Sequence, residues 1–144
     1  MNYVLTAKAQ TVVDRACEEA RRHHHIWVGS EHLLLALFLE GGIAKDILYS
    51  AGVRVRKLIK LVEIHNLKAR RANTDPKMLV SGKWVLKIAF EEATKLGGDS
   101  ADSIHILLGI IGMPPTAALI ILDEFGVSRE MIRTSVSEHL AVAA

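Results

Sequence analysis

The sequence is poor in cysteine, in aromatic residues and in long apolar runs. Cys17 is the single cysteine of 144 residues, so no intramolecular disulfide can form. That suits a reducing compartment, the cytoplasm. The longest apolar stretch, IHILLGIIGMPP, is broken by Pro114 and Pro115. It is far short of the ~20 residues a membrane-spanning helix needs. The N-terminal MNYVLTAKAQ lacks the apolar core of a signal peptide. GxGxxG, HExxH and the Walker phosphate-binding pattern are all missing, so no nucleotide site can be read and no cofactor is expected. A lone cysteine also excludes the usual thiolate zinc sets. Aromatics are only 5% of the chain, too few for a base-stacking platform.

What is present points to helices. Half the residues are hydrophobic, enough to fill a core and too many for disorder. Net charge is +2, but residues 1–72 carry +5 and residues 73–144 carry −3. The excess sits in RVRKLIK (54–60) and KARR (68–71). Those runs read as a solvated helix face and a linker, with a nucleic-acid patch as the alternative.

The chain also repeats itself. VVDRACEEA (12–20) lies over VLKIAFEEA (85–93) at an offset of 73, and EHLLLAL (31–37) over IHILLGI (104–110) at the same offset. LYSAGV (48–53) meets LDEFGV (122–127) at 74. The boundaries are repeat one 1–65, a polar linker 66–78, and repeat two 79–144.

Each repeat reads as four helices. Thr6 is a cap before Ala9, Val12, Val13, Ala16 and Ala20, which form one apolar stripe. Ser30 is placed to cap a short helix that is apolar nearly all round, as a central buried helix should be. Gly41 and Gly42 end it, and Gly52 is suited to stop the third helix in a left-handed turn. Val55, Leu58, Ile59 and Val62 form the inner face of a fourth. In the second repeat helices are predicted over 82–96, 103–112, 116–124 and 127–140. Ser103 and Ser128 are the caps there, and Pro114 and Pro115 stop one helix and start the next. No strand is predicted. The expected fold is all-α: eight helices in two tandem four-helix repeats packed with pseudo-two-fold symmetry.

Of the seven histidines, His23, His24 and His25 are consecutive, and on a helix they would point about 100° apart. They read as a helix C-terminus rather than a metal site. His32 and His105 share a repeat position, yet Glu31 precedes one and Ile104 the other. A Glu-His dyad is therefore not duplicated, and the histidine reads as structural. Cys17, beside the first apolar stripe, reads as packing. A binding module is favoured over an enzyme.

The pattern resembles the Clp repeat, the N-terminal domain of ClpC- and ClpA-type AAA+ protein unfoldases. LTAKAQTVVDRACEEA (5–20), VGSEHLLLAL (28–37) and GIAKDILYSAGV (42–53) carry the likeness, with echoes in KWVLKIAFEEA, SIHILLGI and ALIILDEFGV. The resemblance implies a non-catalytic module that recognises protein substrates, adaptor proteins or Clp ATPase subunits. No nucleic-acid or membrane partner is expected, and a monomer is favoured. For ClpC-type members it implies binding of phosphorylated arginine, carried here by Thr6 and Glu31. It further implies an apolar inter-repeat surface, here Val13, Met78 and Lys83. This sequence departs from the pattern at Ile104 and Leu79, which replace a Glu and a Thr, and at Asn2 and Met78, which replace aromatics. With no ATPase motif in the chain, the alternative is a free-standing decoy that sequesters substrates, adaptors or inhibitors from the full unfoldase.

Overall fold

The computed structural model describes residues 3–66 and 75–143. Asn2, the KARR run and most of the 66–78 segment lie outside the described residues. Eight α-helices are found among those described: α1 Ala7–Arg22, α2 Ser30–Glu40, α3 Ile43–Ala51, α4 Val55–Ile64, α5 Val80–Lys95, α6 Ser103–Ile111, α7 Ala117–Glu124 and α8 Arg129–Ala143.

The helix ends follow local chemistry. Thr6 Oγ1 accepts from the Ala9 N–H at 3.1 Å and so caps α1. Ser128 Oγ does the same for α8, accepting from Met131 N at 3.2 Å. Gly52 stops α3 at φ 116°, with Val53 N donating to Leu48 O at 3.0 Å; Gly126 repeats this at φ 72°, with Val127 N to Leu122 O at 3.0 Å. Both positions are left-handed, where glycine carries no Cβ penalty.

Three expectations need correction. Ser30 and Ser103 are the first residues inside their helices; Gly29 and Asp102 are the caps. Ser30 works elsewhere: its Oγ accepts from Ala118 N at 3.3 Å and so caps α7 of the other repeat. Pro114 and Pro115 lie in the connection before Thr116, not in the first turn of α7. Strands also exist. β1 (Trp27–Val28) pairs in parallel with β2 (Lys77–Met78), which is the end of the expected linker. Two-residue strands have no periodicity for a sequence reading to detect.

The core is built around α2 and α6. Leu33, Leu34, Leu35 and Leu37 are buried all round α2, and Ile106, Leu107, Ile110 and Ile111 repeat this on α6. Each leucine removed from water is worth roughly 1.5–3 kcal/mol. Small residues set the spacing. A Cβ on Gly109 would lie 2.3 Å from the Val85 carbonyl oxygen, so only glycine lets α6 approach α5 this closely.

The pseudo-two-fold is visible in the joints between repeats. Val28 pairs with Met78, and Leu5 bridges Ala101. Shifting one pair by the repeat offset gives the other. Thr6 N donates to Ala101 O at 2.9 Å, and its counterpart Leu79 N donates to Val28 O at 2.7 Å. Each repeat thus ties the start of its own first helix to the start of the other's second helix.

Candidate functional site

That exchange creates two corners with the same backbone and different side chains. At one corner Thr6 Oγ1 donates to Asp102 Oδ1 at 2.8 Å, and the same oxygen accepts from Ser103 N at 2.8 Å. At the other corner Leu79 stands where Thr6 would be and Gly29 where Asp102 would be. The carboxylate there comes from Glu31, folded back over Gly29. A Cβ on Gly29 would be 2.3 Å from Glu31 Oε1. Glu31 therefore occupies the space that an N-cap side chain would take.

Thr6 and Glu31 are not brought together. Thr6 starts α1 and is bound to the start of α6. Glu31 starts α2, beside the far end of α1, where His25 contacts His32. The 16 residues of α1 separate them by about 24 Å at 1.5 Å per residue. Glu31 is also closed off, at 4% exposure. Burial pushes its pKa up more than any single contact pulls it down. The His32 imidazole, Glu31's own N–H and the Asn66 side chain together hold it below the ordinary 4.5.

The two repeated histidines do one job. Gly29 N donates to His32 Nδ1 at 3.0 Å, and Asp102 N donates to His105 Nδ1 at 2.9 Å. Each imidazole satisfies the N-cap N–H from the third helical position, the place Glu or Gln takes in a capping box. Accepting at Nδ1 puts the proton on Nε2. In His32 that proton reaches His25 Nδ1 at 2.8 Å, both rings being fully buried. One Nδ1 cannot accept from Gly29 and donate to Glu31 at once. Its 3.0 Å contact with Glu31 Oε1 becomes an ion pair only when His32 is protonated. The Gly29 contact recurs at His105, whereas the pull of His32 on the Glu31 pKa belongs to the form with a proton on Nδ1.

The histidine run ends α1 as expected. His23 is the C-cap, His24 takes φ 58°, and His25 N returns to Ala20 O at 2.9 Å. His23 Nδ1 then meets Glu63 Oε1 at 2.6 Å. Cys17 is half-buried, and burial followed by Asp14 raises its thiol pKa, opposite to a nucleophile's need.

Of the expected apolar surface, Lys83 lines an open cleft of about 460 Å³ with Tyr3, Val80, Trp84, Leu86 and Lys87. Val13 and Met78 do not line it; they are half-buried and pack against the core. The residue the sequence reading missed is Trp84, 47% exposed on α5 with Lys87 Nζ 4.2 Å from its ring centre. Its signal was there: the repeat partner of Trp84 is Thr11, so a large aromatic replaces a polar surface residue. No helix among the described residues is long and apolar enough to cross a membrane.

Comparison with known proteins identifies the family and the fold. The model of the Clp repeat (R) N-terminal domain matches residues 4–79. Over 136 residues the chain is 35% identical to the negative regulator of genetic competence ClpC/MecB of Bacillus subtilis, covering 94% of this chain and 17% of that protein. The chain thus spans about a sixth of that relative. The N-terminal domain of ClpD from Arabidopsis thaliana superposes with a TM-score of 0.77 at 21% identity, covering 94% of this chain and 96% of that one. The ClpV N-domain, solved in complex with a VipB peptide, gives a TM-score of 0.60 at 20% identity, covering 91% and 88%. With the family model spanning more than half of its length, this chain belongs to the Clp repeat N-terminal domain family.

Proposed function

We propose that the chain is a protein-recognition module of a Clp chaperone or protease system, which takes apolar-anchored segments of substrate or adaptor proteins into the Tyr3–Trp84 cleft. The carrying observation is the solvent-facing Trp84, with Val80 at 65% exposure beside it. Exposed apolar surface rimmed by Lys83 and Lys87 is the signature of a docking face. A ClpV N-domain has been solved holding a peptide, which supports the same use here. Trp27→Phe leaves Trp84 as the sole tryptophan reporter. Its emission should shift to the blue when an unfolded, reduced carrier protein binds, and Trp84→Ala should weaken that binding at least tenfold. Equal affinity in Trp84→Ala removes the cleft from the reading.

Recognition of arginine-phosphorylated segments is the narrower form of this proposal. What supports it is Glu31 at the N-terminus of α2, where a carboxylate can pair with a guanidinium and helix N–H groups can receive phosphate. It requires that Glu31 swing off Gly29, and the site draws no help from Thr6. Calorimetry with free phosphoarginine should show binding that Glu31→Ala abolishes; no heat from either protein removes this form while leaving the cleft untouched.

A further inference from the structure

A second cleft lies away from both corners, where the end of α2 meets α3 and the start of α4. It measures about 550 Å³. Phe38 and Leu39 line it from α2, and the exposed Tyr49 and Val55 from α3 and α4. Among the described residues, three charged ones line it, Lys45, Arg54 and Arg56, and no carboxylate does. None of the three is in an ion pair among the described residues. Glu40, the nearest acid along α2, is held by Arg15 at 2.9 Å. Asp46, next to Lys45 in the chain, lines a different cleft with His139 of α8.

The cations are fixed on the aromatic wall. Arg54 Nη1 donates to the carbonyls of Tyr49 and Val53, each at 2.9 Å, and its guanidinium carbon lies 3.8 Å from the Tyr49 ring centre. That leaves the Nε and Nη2 donors for a ligand. Lys45 Nζ is 5.0 Å from the Tyr49 ring centre and 5.8 Å from that of Phe38. Gathering like charges without a counter-charge is unfavourable in itself. The fold does not require it either. At the repeat offset, Asp123, Ser128 and Glu130 stand where Tyr49, Arg54 and Arg56 are. The basic cleft belongs to repeat one alone.

We propose that this cleft docks an acidic segment of a partner protein. An apolar or aromatic side chain of the segment sits on Phe38 and Leu39, and flanking carboxylates meet Lys45, Arg54 and Arg56. Charge complementarity selects the acid, and the Phe38–Leu39 floor selects the anchor. A protein segment fits better than a nucleic acid, because Arg54 already covers the Tyr49 ring on which a base would stack.

The test uses the full chain and a fluorescein-labelled peptide with one phenylalanine flanked on both sides by aspartates and glutamates. Anisotropy should report saturable binding that weakens as salt rises. Lys45→Glu with Arg56→Glu, the first at a half-buried and the second at an exposed position, should weaken it at least tenfold, with the helical circular dichroism unchanged. A peptide with serine for phenylalanine, and one with lysine for every acid, should each lose at least tenfold. Trp84→Ala should bind the acidic peptide as wild type does. The proposal is overturned if wild type shows no saturable binding at millimolar peptide, if the double variant binds equally, or if only Trp84→Ala loses binding. It is equally overturned if a single-stranded oligonucleotide binds more tightly and displaces the peptide.

Discussion

Replacing His24 by glycine stabilises the protein, although it removes an imidazole and adds nothing. His24 is the one non-glycine residue with positive φ among the described residues, at φ 58°. It occupies the position after the α1 C-cap, where the chain must turn left-handed for His25 N to reach Ala20 O. The second repeat shows what this geometry prefers: Gly97, at the same repeat position, has φ 86°, and Gly98 N reaches Ala93 O at 2.9 Å. A left-handed conformation costs an L-residue about 1–2 kcal/mol. Glycine returns part of that, roughly 0.5–1 kcal/mol, through the freedom its unfolded chain gains. The His24 side chain is exposed and makes no hydrogen bond or ion pair among the described residues. The net gain is therefore about 0.5–1 kcal/mol, or roughly 2–4 °C in Tm for a chain of this size. Far-UV circular dichroism melts at alkaline pH, where imidazoles are neutral and helix-dipole effects drop out, measure it directly. Gly97→Ala is the reciprocal variant. A Cβ there meets nothing within 4 Å, so any loss is pure backbone strain and should match the His24→Gly gain with opposite sign. A lower Tm for His24→Gly, or no loss for Gly97→Ala, would refute the reasoning.

Two further predictions concern the corners. Thr6→Val removes the α1 cap and the Asp102 hydrogen bond together, and should cost about 1–2 kcal/mol in urea unfolding, while Thr6→Ser keeps both and stays near wild type. His105 has its pKa lowered from 6.5 by burial, against the smaller upward pull of Asp102 and Glu92. Its neutral form is favoured in the folded state, so its contribution is complete above 6.5 and is lost as pH falls through the depressed value. His105→Gln keeps an acceptor for the Asp102 N–H and should flatten the acid side of the stability profile.

The duplication makes the fold readable, because the main helices of one repeat have counterparts at a fixed offset in the other. The α1 cap at Thr6 and the stop at Gly52 follow from local residue chemistry, and the structure has both. The caps of α2 and α6 were misplaced by one residue for a physical reason. Serine is a better cap than glycine and an equal of aspartate, but G-x-x-H and D-x-x-H each put an imidazole three residues inside, where it closes the turn from the other end. Ser30 was thereby released to cap α7 across the repeat boundary, which no local pattern can reveal. The same limit applies to the site. Thr6 and Glu31 look like one pocket when each repeat is read by itself. The start of one repeat's first helix, however, packs on the start of the other repeat's second.

Crossing the repeats changes what the missing second glutamate means. Read along the chain, Glu31 is unduplicated, so the fold does not demand it twice and a ligand role follows. Read across the dyad, each corner keeps one carboxylate close to the N-cap of the central helix, delivered from Asp102 in one and from Glu31 in the other. Gly29 and Glu31 are then a compensating pair: the first lacks a side chain where the second folds in. Asp102 has Thr6 as its partner, but Glu31 has Leu79 opposite and no hydroxyl there. Asp102 is therefore committed to joining the repeats. Glu31 carries no bond across that joint, so its release from Gly29 leaves the Val28–Leu79 backbone hydrogen bond intact. Among the described residues, Glu31 is thus the corner carboxylate whose contacts stay clear of the joint between the repeats.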